Sequence, residues 1–201
     1  MDGEQGSGGR PSLRAAAVLI PLFLGKGGEP RTVLVRRVPG GRHGGQLAFP
    51  GGNREPKDRD AVATALREAE EEIGLEPERV QVLAQLPELE TRSTGYLITP
   101  VVGRVLRPPE GWRLQAEEIA AVVEVALPDL LLPGARQRRR LQLDGLSRAL
   151  KVTAIPLGED LLWGVSLRIL DLLLPRLDEL GAALGLGPSW AGGQSGPGRY
   201  R

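Results

Sequence analysis

The sequence predicts a mixed α+β domain. Three observations carry this: β-rich segments crowd the first half of the chain, one well-bounded amphipathic helix interrupts them, and a long apolar helical segment closes the chain. Ala15–Leu24 and Thr32–Arg37 are rich in apolar and branched residues and flank a Gly-rich turn, the pattern of a hairpin. A Gly-loaded loop from Pro39 to Gly45 follows, then the short segment Gln46–Phe49 and the breaker Pro50-Gly51-Gly52. Asp60 to Ile73 reads as a helix, with Asp60 able to cap its start and Gly74 able to end it. Strands are expected at Val80–Leu86, Tyr96–Leu106 and Ala121–Leu127, with a second hairpin at Arg139–Leu143 and Ala149–Ile155. A last helix is expected from Asp160 towards Leu180, kinked or divided at Pro175. Residues 1–12 and 187–201 are Gly-rich and are expected to be disordered tails around one domain at 13–186.

Composition narrows the chemistry. The 201 residues are 41% hydrophobic and 25% charged, a globular balance. Basic and acidic residues number 26 and 25, which gives no basic excess of the kind a nucleic-acid binder carries, so no nucleic-acid partner is expected. There is no cysteine and only one histidine, His43, which excludes thiolate chemistry and argues against a His-rich zinc centre. Acids and arginines are left to do the work. Ala15–Leu24 follows Arg10 and Arg14, but Asp2 and Glu4 offset them and no small-x-small site follows, so it is not read as a signal peptide. Gly164, Arg168 and Asp171 interrupt the run Leu161–Leu174, so no membrane anchor and a cytoplasmic location are expected.

The informative stretch is Arg67-Glu68-Ala69-Glu70-Glu71-Glu72-Ile73-Gly74-Leu75, preceded by Gly51-Gly52-Asn53. On a helix Glu68, Glu71 and Glu72 fall within an arc of roughly 100°. Val62, Leu66, Ala69 and Ile73 form a separate apolar stripe, and Glu70 points away from the other three acids. Like charges this close repel, and the C-terminal end of a helix disfavours anions further. Mg²⁺ or Mn²⁺, which take oxygen ligands, relieves both penalties. Taken alone, such a run more often means a solvated acidic face, here with Arg67 as counter-charge. The loop Phe49-Pro50-Gly51-Gly52 favours the cation, since glycines admit a cation or phosphate close to the backbone.

From Gly52 to Leu75 the chain resembles the signature of the Nudix hydrolases: Arg67, Glu68, Ala69, Glu71, Glu72, Gly74 and Leu75 fill the family's positions on the helix. Where the family has a further glutamate, Arg59 stands, flanked by Asp58 and Asp60. That shift, and Thr64-Ala65-Leu66-Arg67-Glu68, resemble the coenzyme A diphosphatase branch. So do Arg42-His43-Gly44-Gly45-Gln46-Leu47-Ala48-Phe49-Pro50-Gly51-Gly52, Thr91-Arg92-Ser93-Thr94-Gly95-Tyr96, Ile98-Thr99-Pro100-Val101-Val102 and Trp163-Gly164. The resemblance spans Ala15 to Leu174. The Arg37–Arg42 loop is shorter than is usual in that branch. Ala120 and Ala121, after Glu117-Glu118-Ile119, stand where the branch often has an acid, which gives no support to a base from that segment.

The resemblance implies an α/β/α sandwich with a mixed sheet, and Mg²⁺- or Mn²⁺-dependent hydrolysis of a pyrophosphate bond. Glu68 and Glu72 are then the principal metal ligands, Glu71 a further ligand or the base for water, and Gly52 a source of a backbone carbonyl. The expected substrate is a small nucleotide-containing molecule, coenzyme A or a derivative, giving 4′-phosphopantetheine and adenosine 3′,5′-bisphosphate. ADP-ribose, NADH or a dinucleotide polyphosphate is the alternative. A non-catalytic sensing module would be expected to lack one of Glu68, Glu71 and Glu72. Monomer and homodimer remain open. Outside the helix, Arg42 and His43 are the candidates for substrate binding through a planar fork and a hydrogen bond to phosphate, with loop ordering as their other role. Arg67 is better suited to a structural ion pair than to substrate. Arg36 and Arg37 read as strand residues, the cluster Arg136, Arg138, Arg139 and Arg140 as a charged hairpin edge, and Trp163 as packing.

Overall fold

The computed structural model describes residues 13–40, 44–91, 94–106, 110–142 and 148–184. Both tails, Arg42, His43, Arg92 and Ser93 lie outside these residues. The chain runs β1 (Arg14–Leu24), β2 (Pro30–Arg37), β3 (Leu47–Ala48), β4 (Gly51–Asn53), α1 (Ala61–Ile73), β5 (Val80–Gln85), β6 (Leu89–Thr91), β7 (Tyr96–Val105) and β8 (Ile119–Ala126). It continues through α2 (Leu127–Leu131), β9 (Gln137–Leu141), β10 (Leu150–Leu157), β11 (Asp160–Trp163), α3 (Gly164–Leu173) and α4 (Leu177–Ala183).

Among the described residues, eight strands form one mixed sheet and β9–β11 a second, antiparallel one. β1 and β7 pair in parallel; every other pairing is antiparallel. The position of the site follows from one irregularity. β1 pairs with β2 only at Leu22–Leu24, whereas its first half, Ala16–Val18, pairs with β4. The far half of β2 pairs instead with β3, through Val35 and Arg36. The hairpin is therefore a fork, and the segment from β3 to β4 fills it, anchored by the Leu19 N–H donating to the Pro50 carbonyl at 2.8 Å.

The two faces of the sheet carry two cores, because side chains alternate along each strand. Ala17, Leu19, Phe23, Val33, Val35 and Val101 face α1 through Ala65, Ala69 and Ile73. Ile20, Leu22, Leu34 and Val102 face the opposite layer, built from α2, α3, α4 and the small sheet. This is the expected three-layer arrangement. α1 begins where Asp60 accepts the Ala63 N–H at 2.8 Å and ends at Gly74, whose φ of 69° suits glycine. The apolar stripe read from the sequence faces this core: Ala69 and Ile73 are fully buried together with Ala65, and Val62 and Leu66 pack half-buried against the same cluster. The two alanines let the helix lie close to the sheet, and Glu72, next to Ile73, is carried inwards with it.

The sequence reading also misplaces the start of the last helix. Asp160–Trp163 is a strand, joined to β10 by a turn with Gly158 at φ 64°, and the helix begins at Gly164. Asp160 lies in this strand and accepts from Arg36 at 2.6 Å. Pro175 does divide the segment, as a single 3₁₀ turn at Leu174–Arg176.

Ile73 is 0% exposed and holds the end of α1 on the sheet. Ile73→Ala is expected to lose about 2–5 kcal/mol in urea denaturation, although alanine is the better helix former. A loss well below that range would show that α1 is not held by this contact.

Candidate active site

Glu72 sits one residue before Ile73, on the inward side of α1, and is 1% exposed. Its Oε2 accepts the Gly51 N–H at 3.0 Å. Its Oε1 is buried with no hydrogen-bond partner, and Arg37 Nη1 stands 3.6 Å away. Burial pushes the Glu72 carboxyl up to about 7, against the opposing effects of the Gly51 N–H and Arg37. Glu68, one turn earlier, lies under β4: a Cβ on Gly52 would meet Glu68 Oε1 at 2.5 Å. Glycine at this position is what lets the strand rest on the carboxylate. Burial raises the Glu68 carboxyl as well, with Arg67 opposing.

Arg67 ties the loop to the helix, as expected. It grips Asp58 in a fork, Nε to Oδ1 at 3.0 Å and Nη2 to Oδ2 at 3.1 Å, and Nη2 donates to the Asn53 carbonyl at 3.0 Å. Asp58 also accepts from the Glu55 N–H at 2.9 Å and the Thr64 hydroxyl at 3.0 Å. The Arg67 guanidinium holds the Asp58 carboxyl far below the usual carboxylate range. The same guanidinium reaches Glu68 Oε1 at 3.0 Å and Glu71 Oε2 at 2.8 Å. Glu71 is thus drawn to the exposed side of the group.

The structure brings Glu68, Glu72 and Gly52 together and leaves Glu71 at the margin on Arg67. Arg42 and His43 fall outside the described residues. Among those described, no three acidic or histidine side chains converge tightly enough, as placed, to enclose an ion. Glu68 and Glu71 are turned towards Arg67, and an ion would have to draw them from it. The fit is nonetheless chemical as well as positional: the donors are oxygens, and a buried carboxylate oxygen lacks a partner.

Two residues at the site were named in the sequence but not assigned to it. Arg37 bridges Glu72 and Glu118, with Nη2 at 3.4 Å from Glu118 Oε2. Glu118, from the segment whose alanines weaken the case for a base there, lies near enough to oppose ionisation of both Glu68 and Glu72. It is delivered by a loop docked on the end of α1, where the Arg113 and Gln115 N–H groups donate to the Ile73 and Glu72 carbonyls, each at 3.1 Å. The pair Glu117-Glu118 just before a strand was the only signal in the sequence, and nothing local distinguishes it from a solvated turn.

Elsewhere, Tyr96 is covered by the Arg14 guanidinium at 4.2 Å from its ring, Arg136 pairs with Asp171, and Arg138–Arg140 are exposed on β9.

Residues 13–144 match the family profile described as NUDIX domain. The chain belongs to the Nudix family. Over 119 residues it is 46% identical to the uncharacterized Nudix hydrolase NudL of Photorhabdus laumondii, covering 59% of this chain and 62% of that protein. It is 42% identical to NudL of Escherichia coli K12, again over 119 residues, covering 59% and 60%. The chain thus matches less than two thirds of the length of these relatives. The fold is shared with a MutT/nudix family protein from Enterococcus faecalis, with a TM-score of 0.59 at 17% identity over 88% of this chain and 69% of that one. It is shared too with the NUDIX domain of Shewanella oneidensis NrtR, complexed with ADP ribose, with a TM-score of 0.53 at 16% identity over 84% and 90%. No described helix of this Nudix chain is long and apolar enough to cross a membrane.

Because the folded Glu72 carboxyl lies at about 7, above its ordinary value of 4.5, its ionisation costs stability progressively as pH rises between the two. Without divalent cations, Glu72→Gln is expected to exceed the wild type in urea stability by about 3 kcal/mol near pH 8. The advantage should vanish near pH 4, where the carboxyl is protonated in both states. An advantage independent of pH would contradict the assignment.

Proposed function

We propose that this Nudix chain hydrolyses the pyrophosphate bond of coenzyme A or a derivative with Mg²⁺ or Mn²⁺, through a domain at residues 13–186. The observation that carries the metal-dependent hydrolysis is the buried, unpartnered Glu72 Oε1, with Glu68 packed against Gly52 beside it. Two inward carboxylates beside a strand of two glycines make a place where a hard cation and a diphosphate can approach each other with little obstruction.

Glu68 and Glu72, with the Gly52 carbonyl, would hold the ion. Bound there, Mg²⁺ or Mn²⁺ would acidify a water and neutralise phosphate oxygens. Gly51 fixes the orientation of the Glu72 carboxylate through its N–H. Arg67 holds Glu71 at the exposed margin, where it can serve as a further ligand or accept the proton of the attacking water. The Asp58–Arg67 fork keeps the loop and the helix in register while these groups act. Arg42 and His43, a few residues before β3 in the sequence, are assigned to the substrate phosphates on residue type and motif.

The choice of coenzyme A is supported by the flanking motifs, which differ among Nudix chains where the carboxylate helix does not. The test is product analysis with coenzyme A, acetyl-coenzyme A, ADP-ribose, NADH and diadenosine polyphosphates, each with Mg²⁺ and Mn²⁺. Release of 4′-phosphopantetheine mainly from the coenzyme A compounds is expected. Glu68→Gln and Glu72→Gln are each expected to lower kcat about a hundredfold or more while remaining folded. Preferred cleavage of another compound would overturn the coenzyme A assignment, and full activity in both variants would overturn the metal site.

A further inference from the structure

Val33, Val35 and Arg37 lie on one face of β2. Both valines pack in the core beneath α1, so the pleat sends the Arg37 side chain towards the same helix. Arg36 turns to the other face and pairs with Asp160 at 2.6 Å. The backbone of Arg37 is clamped as well: its N–H donates to the Gln46 carbonyl at 3.2 Å, and its carbonyl accepts the Gly45 N–H at 3.1 Å. From this fixed root the guanidinium stands 3.6 Å from Glu72 Oε1 and 3.4 Å from Glu118 Oε2, carboxylates delivered by two different elements. At that separation Glu72 Oε1 receives positive charge from Arg37 without a hydrogen bond.

We infer that Arg37 is the resident counter-cation of Glu72 and competes with a divalent cation for Glu72 Oε1. This rests on the metal-site part of the proposed function. A cation bound at ligand distance and a guanidinium held against the same oxygen repel each other strongly in a poorly solvated setting. The divalent ion, with twice the charge and a shorter approach, displaces the arginine. The Arg37 side chain is 34% exposed and has a route to solvent. Arg37 therefore plays two opposed parts. In the metal-free protein it balances a buried charge, and towards the metal it is a competitor whose removal raises affinity. A residue serving only to stabilise the loop would not affect metal affinity in that direction.

The test is the Mn²⁺ dissociation constant of the full chain without substrate, read by titration calorimetry and by the electron paramagnetic resonance of free Mn²⁺. Arg37→Gln is expected to bind Mn²⁺ about tenfold more tightly than the wild type. Arg37→Met, which keeps the aliphatic stem, should match it if the amide variant folds poorly. Arg37→Lys keeps the charge and should stay near the wild type, and Arg36→Gln, on the opposite face, should leave the affinity unchanged. In metal-free buffer Arg37→Gln should unfold at a lower temperature than the wild type, and the gap should close as Mn²⁺ is added. Equal or weaker Mn²⁺ binding by folded Arg37→Gln and Arg37→Met would overturn the inference while leaving the metal site standing. Failure of the wild type to bind Mn²⁺ at all would overturn the metal site and the inference with it.

Discussion

A carboxylate that is 1% exposed must be met by positive potential or lose its charge, and the site of this protein is organised around Glu72 in that condition. One oxygen is satisfied by the Gly51 N–H; the other has no hydrogen bond and the Arg37 guanidinium 3.6 Å away. Gly51 is required at this approach, with φ at 156° and no room for a Cβ against the Ala17 carbonyl and Val18. Gly52 is required next to it, because Glu68 occupies the space a side chain would take. The neighbouring charges form a chain of compensation. Asp58 fixes Arg67, Arg67 restrains Glu68 and Glu71, and Arg37 joins Glu72 to Glu118.

The sheet delivers these groups through the divergence of β1 from β2. Had β1 and β2 paired along their whole length, the glycine strand would have had no edge to occupy. By diverging they admit β3 and β4, and β4 then lies across α1 at the depth of Glu68 and Glu72. The small residues Ala65 and Ala69 bring the helix near enough for that contact, and Gly74 with the 113–115 loop completes its C-terminal end. Packing thus decides between the two meanings of the same acidic run.

Much of this was legible in the sequence, and the parts that were not share a cause. α1, its two caps, the Gly51-Gly52 approach and the role of Arg67 are local: spacing, capping chemistry and helical periodicity place them within a few turns of one another. Glu118 and Arg37 meet Glu72 only because separate segments converge, and no local pattern marks that convergence. The same limit hid the strand at Asp160–Trp163. Its apolar run satisfies a helical period as well as a short buried strand, and the deciding contact, Arg36 with Asp160, joins residues far apart in the chain. The apolar stripe of α1 was legible except for Ala65, whose small side chain gives no hydrophobic signal but suits close approach to a sheet.

In the proposed cation site of Glu72, Glu68 and Gly52, a bound ion takes Glu68 from Arg67 and Glu72 from Arg37. Anomalous diffraction at the manganese edge, from crystals grown with Mn²⁺, addresses it most directly. A manganese peak is expected within ligand distance of Glu68, Glu72 and the Gly52 carbonyl, with Arg37 swung away from Glu72 Oε1. A peak elsewhere, or manganese bound while both arginines keep their present carboxylate contacts, would contradict it.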